Sequence, residues 1–227
     1  MSLLEIGAIH VRIGAVEAVR GFTMALEPGS VVGLAGRNGA GKTTIMRSVM
    51  GLTALTQGTM RFDGQDLAAI PVHSRTALGI GYMPEDRGLV PELTVEENIL
   101  LPTWVTPGVD GAEALDRVYG IMPELQEMKD RRALLLSGGQ QKMAALGRAL
   151  TVGTRLLLLD EPFEGVAPAL AQRLSEVIAA LSGSGEGRDL TIVMSMSEMT
   201  HSLNQLDHVW GIERGVNVAH EDVTERA

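Results

Sequence analysis

The stretch Gly36-Arg37-Asn38-Gly39-Ala40-Gly41-Lys42-Thr43-Thr44 decides the fold. It matches the phosphate-loop pattern G-x-x-x-x-G-K-[ST] at every fixed position. Before it, Val31-Val32-Gly33-Leu34-Ala35 reads as a short buried strand. After it, Thr43 to Met50 reads as a helix that stops near Gly51. The loop therefore lies between a strand and a helix N-terminus, the context the pattern needs. Glycines let backbone N–H groups converge on phosphate oxygens, and the helix dipole adds positive potential there. Lys42 is expected to reach the β- and γ-phosphates of a nucleotide, and the Thr43 hydroxyl to ligate Mg²⁺.

Working outward, residues 3 to 13 partly alternate and read as a strand, as do residues 18 to 27, closed by the turn Pro28-Gly29. Two such strands ahead of the buried one suggest an antiparallel β layer beside a parallel core. Thr59 to Phe62 is a short strand, residues 71 to 78 a short helix starting at Pro71, and Ile80 to Met83 a candidate core strand. From about Glu85 to Leu150 the pattern turns helical. Thr94 followed by Glu97 is a capping box, Asp110 to Ile121 has apolar positions at helical spacing, and Pro123 starts a further turn or helix. Residues 155 to 160, Arg-Leu-Leu-Leu-Leu-Asp, fit a central parallel strand covered on both faces. A helix from about Pro168 to Leu181 follows, then a Ser/Gly loop at 182–188. The strand 191–196, a helix at 197–206 and a last strand at 209–212 complete the reading. The expected organisation is one α/β domain, 1–227, with a helical subdomain at about 85–150 inserted in it.

Bulk properties narrow the function classes. A net charge of −9 argues against nucleic-acid binding through a basic surface. The absence of cysteine excludes disulfide and thiol chemistry. The N-terminus shows no basic run followed by an apolar segment, so no signal peptide is expected. No apolar run approaches the roughly 18 residues that span a bilayer. Work at a membrane would require docking onto something that crosses it.

Two further stretches carry chemistry. Four leucines lead into Asp160-Glu161, which places carboxylates at the carboxyl edge of a parallel sheet, where ligands bind. Asp160 is placed to hold Mg²⁺ directly or through water, and Glu161 to act as general base on a water. In Leu136-Ser137-Gly138-Gly139-Gln140-Gln141-Lys142, Ser137 can cap a helix running to about Leu150. The two glycines open its N–H groups to phosphate oxygens, making a second anion-binding helix start. The economical reading is a γ-phosphate held by another subunit, and an ordinary Ser-capped helix is the local alternative.

GRNGAGKTT, LSGGQQK and LLLLDEP, in this order and at these separations, resemble the ATP-binding subunits of ABC transporters over nearly the whole chain. The resemblance implies a P-loop NTPase core, mostly parallel sheet flanked by helices, with an antiparallel β subdomain and an inserted helical one. It implies ATP and Mg²⁺ as cofactors, with Gly36 to Thr44 and Ser137, Gly138, Gly139 and Gln140 binding nucleotide. Further, it implies a head-to-tail pair with a second ATPase subunit, identical or not. Membrane-spanning permease subunits would be its other partners, on the cytoplasmic face of the membrane. The segments from Gly81 to Arg87, from Leu93 to Asn98 and from Asp160 to Pro168 resemble the ATPases of branched-chain amino acid and amide or urea importers. For those, an external solute-binding protein is an indirect partner.

Four positions depart from the wider family. Ile13 stands where an aromatic residue stacks on adenine, which implies modestly weaker base contact. Glu85 stands where a Gln touches Mg²⁺ and the attacking water, and Ala167 replaces an Asp that reaches across the pair. Ser197 replaces a His that contacts the γ-phosphate; it donates one hydrogen bond but carries no charge, so slower hydrolysis is expected. His201 and His208 are read as surface or helix residues, and Met194, Met196 and Met199 as core filling. A soluble non-transport ABC ATPase and a weakly hydrolysing switch subunit are the competing readings.

Overall fold

The computed structural model describes residues 2–182, 190–197 and 206–218. Along the chain these form β1 (Leu4–Ile13), β2 (Val16–Leu26), β3 (Val31–Ala35), α1 (Lys42–Val49), β4 (Gln57–Phe62), β5 (Gln65–Asp66) and β6 (Ile80–Met83). Then come α2 (Val95–Leu100), α3 (Gly111–Ile121), α4 (Pro123–Glu127), α5 (Gly138–Val152), β7 (Leu156–Leu159) and α6 (Pro168–Ser182). The last elements are β8 (Thr191–Met196), β9 (His208–Glu213) and β10 (Val216–Val218). The chain divides into two compact units, Met1–Arg75 with Thr191–Ala227, and Thr76–Leu190. The second unit reaches beyond the helical stretch at 85–150 and includes β6, β7 and α6.

In the first unit an antiparallel sheet has the order β2-β1-β4-β5. Along β1, Leu4, Ile6, Ile9 and Val11 are buried while Glu5, Ala8 and Arg12 are exposed. The alternation slips by one residue at Ala8, whose φ is 46°, and the register with β2 shifts there. This is a β-bulge, which re-aims the strand so that apolar residues on both sides of it still face inward. The other sheet of this unit centres on β3, whose five residues are all buried. It pairs in parallel with β8 on one side and β9 on the other. A strand covered on every side must be continuously apolar, as Val-Val-Gly-Leu-Ala is.

In the second unit, β6 pairs in parallel with β7, from Ile80 against Leu156 to Met83 against Leu159. All four leucines of β7 are buried. Helix α5 lies against β6 at Gly81, where an added Cβ would come within 2.2 Å of the Ala149 carbonyl oxygen. Helices α2, α3 and α4 pack on α5 around Gly147, which faces the side chains of Ile99, Val118 and Leu125. The Thr94 capping box forms, with Thr94 Oγ1 accepting from the Glu97 amide and Glu97 Oε2 from the Thr94 amide.

Two readings of the sequence change. Residues 71–78 make two short 3₁₀ turns, Val72–Ser74 and Thr76–Leu78, instead of a helix. Arg75 between them turns inward and donates to the carbonyls of Ser48 and Val49 at the end of α1, and to Leu67. Glu213-Arg214-Gly215 does not end the sheet but turns the chain into β10, antiparallel to β9. The strand read at Thr59 to Phe62 ends there as expected, and Asp63-Gly64 turns it into the additional two-residue β5. All but the two end residues of the expected helix at 197–206, with His201 and Met199, and most of the 182–188 loop lie outside the described residues. Met194 and Met196 are core residues, as expected.

Candidate functional site

The first group of candidate residues lies at the carboxyl end of β3. Gly36 continues the strand for one residue, its amide donating to the Met196 carbonyl at 3.1 Å. A Cβ at Gly36 would lie 2.3 Å from the Ile212 carbonyl oxygen, so only glycine lets β9 approach the loop. Gly39 and Gly41 take φ of 80° and 115°, the left-handed region that favours glycine. Gly41 is the N-cap of α1, and Lys42 opens the helix. The Lys42 ammonium is buried under its own loop and donates to the carbonyls of Gly36 at 2.5 Å and Arg37 at 3.2 Å. It also donates to Ser197 Oγ at 2.9 Å, and that hydroxyl donates on to Asn38 Oδ1 at 2.6 Å. Ser197, reached by sequence counting alone, thus touches the loop lysine directly. Arg37, Asn38 and Gly39 are exposed, Ala40 and Thr44 are buried, and Thr43 is half-buried in the first turn of α1.

Ile13 is more than half exposed at the tip of the β1–β2 hairpin, paired with Val16, which is more exposed still. The two make a small outward apolar pair. Val16 was not singled out from the sequence, although its position two residues past Gly14 could have suggested the pairing.

The second group lies in the other unit. Asp160 follows β7 with its carboxylate fully buried; the Tyr82 hydroxyl, from the neighbouring strand, donates to Asp160 Oδ2 at 3.3 Å. Glu161 is also buried and sits at φ 47°. For a residue with a Cβ this costs about 1–2 kcal/mol, and such outliers cluster at functional sites. Glu85 is exposed in the segment after β6. Ala167 precedes α6, and its carbonyl accepts from the Leu170 and Ala171 amides.

Ser137 caps α5 at an exposed end of the helix. Its Oγ accepts from the Gln140 amide at 3.3 Å, and Gln140 Oε1 accepts from the Ser137 amide at 3.0 Å. Gln140 therefore closes a capping box, while the first-turn amides of Gly138 and Gly139 belong to an exposed helix start. Arg87, at φ 67°, lies beside this start and donates through Nη1 to Gln141 Oε1 at 3.0 Å. Lys142, one turn along, is buried and donates to the Glu161 carbonyl at 2.8 Å and to that of Glu164. Burial pushes its ammonium pKa down, as does the Arg87 charge, against upward pulls from Glu164, Glu161 and Glu85. Tyr82, Arg87 and Lys142 were not assigned roles from the sequence. A lysine on the buried face of α5 was the one signal available.

Buried strand, glycine cradle, inward lysine and helix start define the phosphate-loop class of nucleotide-binding folds. The chain belongs to the ABC transporter family, whose model matches residues 19–164, as one of its ATP-binding subunits. It is similar to the high-affinity branched-chain amino acid transport ATP-binding protein BraG of Pseudomonas aeruginosa, at 32% identity over 96% of this chain and 92% of that one. It is also similar to the lipopolysaccharide export system ATP-binding protein LptB of Escherichia coli, at 29% identity over 91% and 85%. Among solved structures it resembles the ADP conformation of MJ1267, an ATP-binding cassette of an ABC transporter, with TM-score 0.80, 25% identity and coverage of 98% and 93%.

Proposed function

We propose that this chain binds and hydrolyses Mg·ATP to power import of a small solute through separate membrane subunits. The solute class is a branched-chain amino acid or a related amide. The observation that carries this reading is the likeness to BraG along nearly the full length of both chains. In this reading the amides of Gly36 to Thr44 cradle the phosphates, and Lys42 turns from its loop carbonyls to the β- and γ-phosphates. Ile13 covers the base. Thr43 and Asp160 offer a hydroxyl and a carboxylate, hard oxygen donors that suit Mg²⁺, with Glu85 as a further oxygen. The metal would neutralise charge on the phosphates. Glu161 accepts the proton of the attacking water, and Ser197 donates to the γ-phosphate. Ser137, Gly138, Gly139 and Gln140 close over a nucleotide held by a second ATPase subunit, identical or not.

No helix among the described residues is long and apolar enough to cross a membrane. The work is therefore passed to permease subunits, with the chain peripheral on their cytoplasmic side and a solute-binding protein acting only through them. A second reading, export of a lipid-linked substrate, is favoured by the likeness to LptB. The test is to isolate the tagged chain from its own membranes with its integral partners and rebuild the complex in liposomes. ATP-dependent movement of labelled leucine or urea is the expected result. Extraction of lipopolysaccharide instead would establish export, and a chain that retained no integral membrane protein would contradict both.

A further inference from the structure

We propose that Lys142 is a positioning residue that fixes the main chain at Glu161 and so aims the Glu161 carboxylate; the inference rests on the hydrolytic reading above. Lys142 is 3% exposed, an unusual place for an ammonium. Two of its three protons have defined acceptors, the carbonyl oxygens of Glu161 at 2.8 Å and of Glu164. The Glu161 carbonyl also accepts from the Glu164 amide at 3.3 Å, so the turn Glu161–Glu164 and the ammonium close on one oxygen. Glu161 is held there at φ 47°, a conformation the chain leaves unless its surroundings over-determine it. The Lys142 donation is a side-chain contact that pins the strained peptide.

The choice of lysine follows from the chemistry of the acceptors. A neutral apolar side chain would take this donor from the buried Glu161 carbonyl and from the part-buried carbonyl of Glu164. The charged head is tolerated because the Glu161, Glu164 and Glu85 carboxylates lie near enough to favour it, against the Arg87 guanidinium. The geometry has a consequence for coupling. Lys142 and the Ser137 cap belong to one helix, so a shift of the α5 start is carried to the loop that bears Glu161. A base misaimed by about 1 Å loses on the order of a hundredfold in rate while nucleotide binding is untouched.

The test is a double-mutant cycle. Lys142→Met, Glu161→Gln and the double variant are compared with wild type in single-turnover hydrolysis at saturating Mg·ATP. ATP affinity and thermal unfolding are measured alongside. Lys142→Met is expected to slow turnover by at least about tenfold with KM for ATP within about twofold of wild type. Lys142→Arg, which keeps charge and donors, is expected to return the rate to within about fivefold. In the Glu161→Gln background, Lys142→Met should cost less than about twofold further. If Lys142→Met does not fold, Lys142→Gln, which keeps a donor but shortens the reach, takes its place with the same expectation. Equal losses in both backgrounds, a loss confined to KM, or no loss at all would overturn the proposal. A wild-type chain without turnover would instead overturn the hydrolytic reading, and this one with it.

Discussion

Ser197 shows what one side chain can replace. Its hydroxyl bridges Lys42 and Asn38 in the manner of a latch on the phosphate loop, and it does so without charge. Ser197→Ala removes two hydrogen bonds of about 1 kcal/mol each while leaving the buried strand β8 intact. Steady-state ATPase assays are expected to show a drop of about 3- to 10-fold, with a melting temperature lowered by only a few degrees. Gly36 tests the opposite property, shape without chemistry. A methyl group there meets the Ile212 carbonyl at 2.3 Å, so either β9 or the loop must move. Gly36→Ala is expected to lower stability by about 1–3 kcal/mol in denaturant titrations and to weaken nucleotide binding with it.

At the scale of elements, the phosphate loop was legible because its glycines, lysine and threonine are neighbours in the chain. The same holds for the Thr94 and Ser137 caps, whose partners are three residues away. What escaped the sequence depends on long-range contact. Lys142 meets Glu161 from 19 positions away, and Tyr82 meets Asp160 from 78. Residues 71–78 failed as a helix because Arg75 was drawn off to cap α1, a partner no local pattern reveals. β10 is three residues long and mostly exposed, so its alternation carries no signal. Another such contact gives a pH prediction. Arg173 on α6 makes a two-pronged ion pair with Glu124 on α4. Burial raises the Glu124 pKa, but the Arg173 hydrogen bonds, a backbone hydrogen bond and the Arg173 charge together outweigh it and hold the carboxyl below its ordinary value. A depressed folded pKa contributes stability above the unfolded pKa and loses it as pH falls through the folded one. Glu124→Gln is therefore expected to flatten the loss of stability below about pH 4.5, read from urea midpoints across pH.

At the scale of the whole molecule, each unit carries a separate part of the proposed chemistry. The first supplies the phosphate cradle, its lysine and the Ser197 latch. The second supplies the two carboxylates and the Ser-led helix. Fold and family were legible because three motifs stand in order along one chain. The identity of the transported solute was not, because the three motifs speak only of nucleotide handling. The central claim of the proposed function is that Glu161 is the general base of ATP hydrolysis. Single-turnover release of the γ-phosphate, followed in wild type and in Glu161→Gln with Mg·ATP in place, tests it most directly. The account predicts a loss of about a hundredfold or more in the variant with ATP affinity preserved. Equal rates in the two proteins would contradict it.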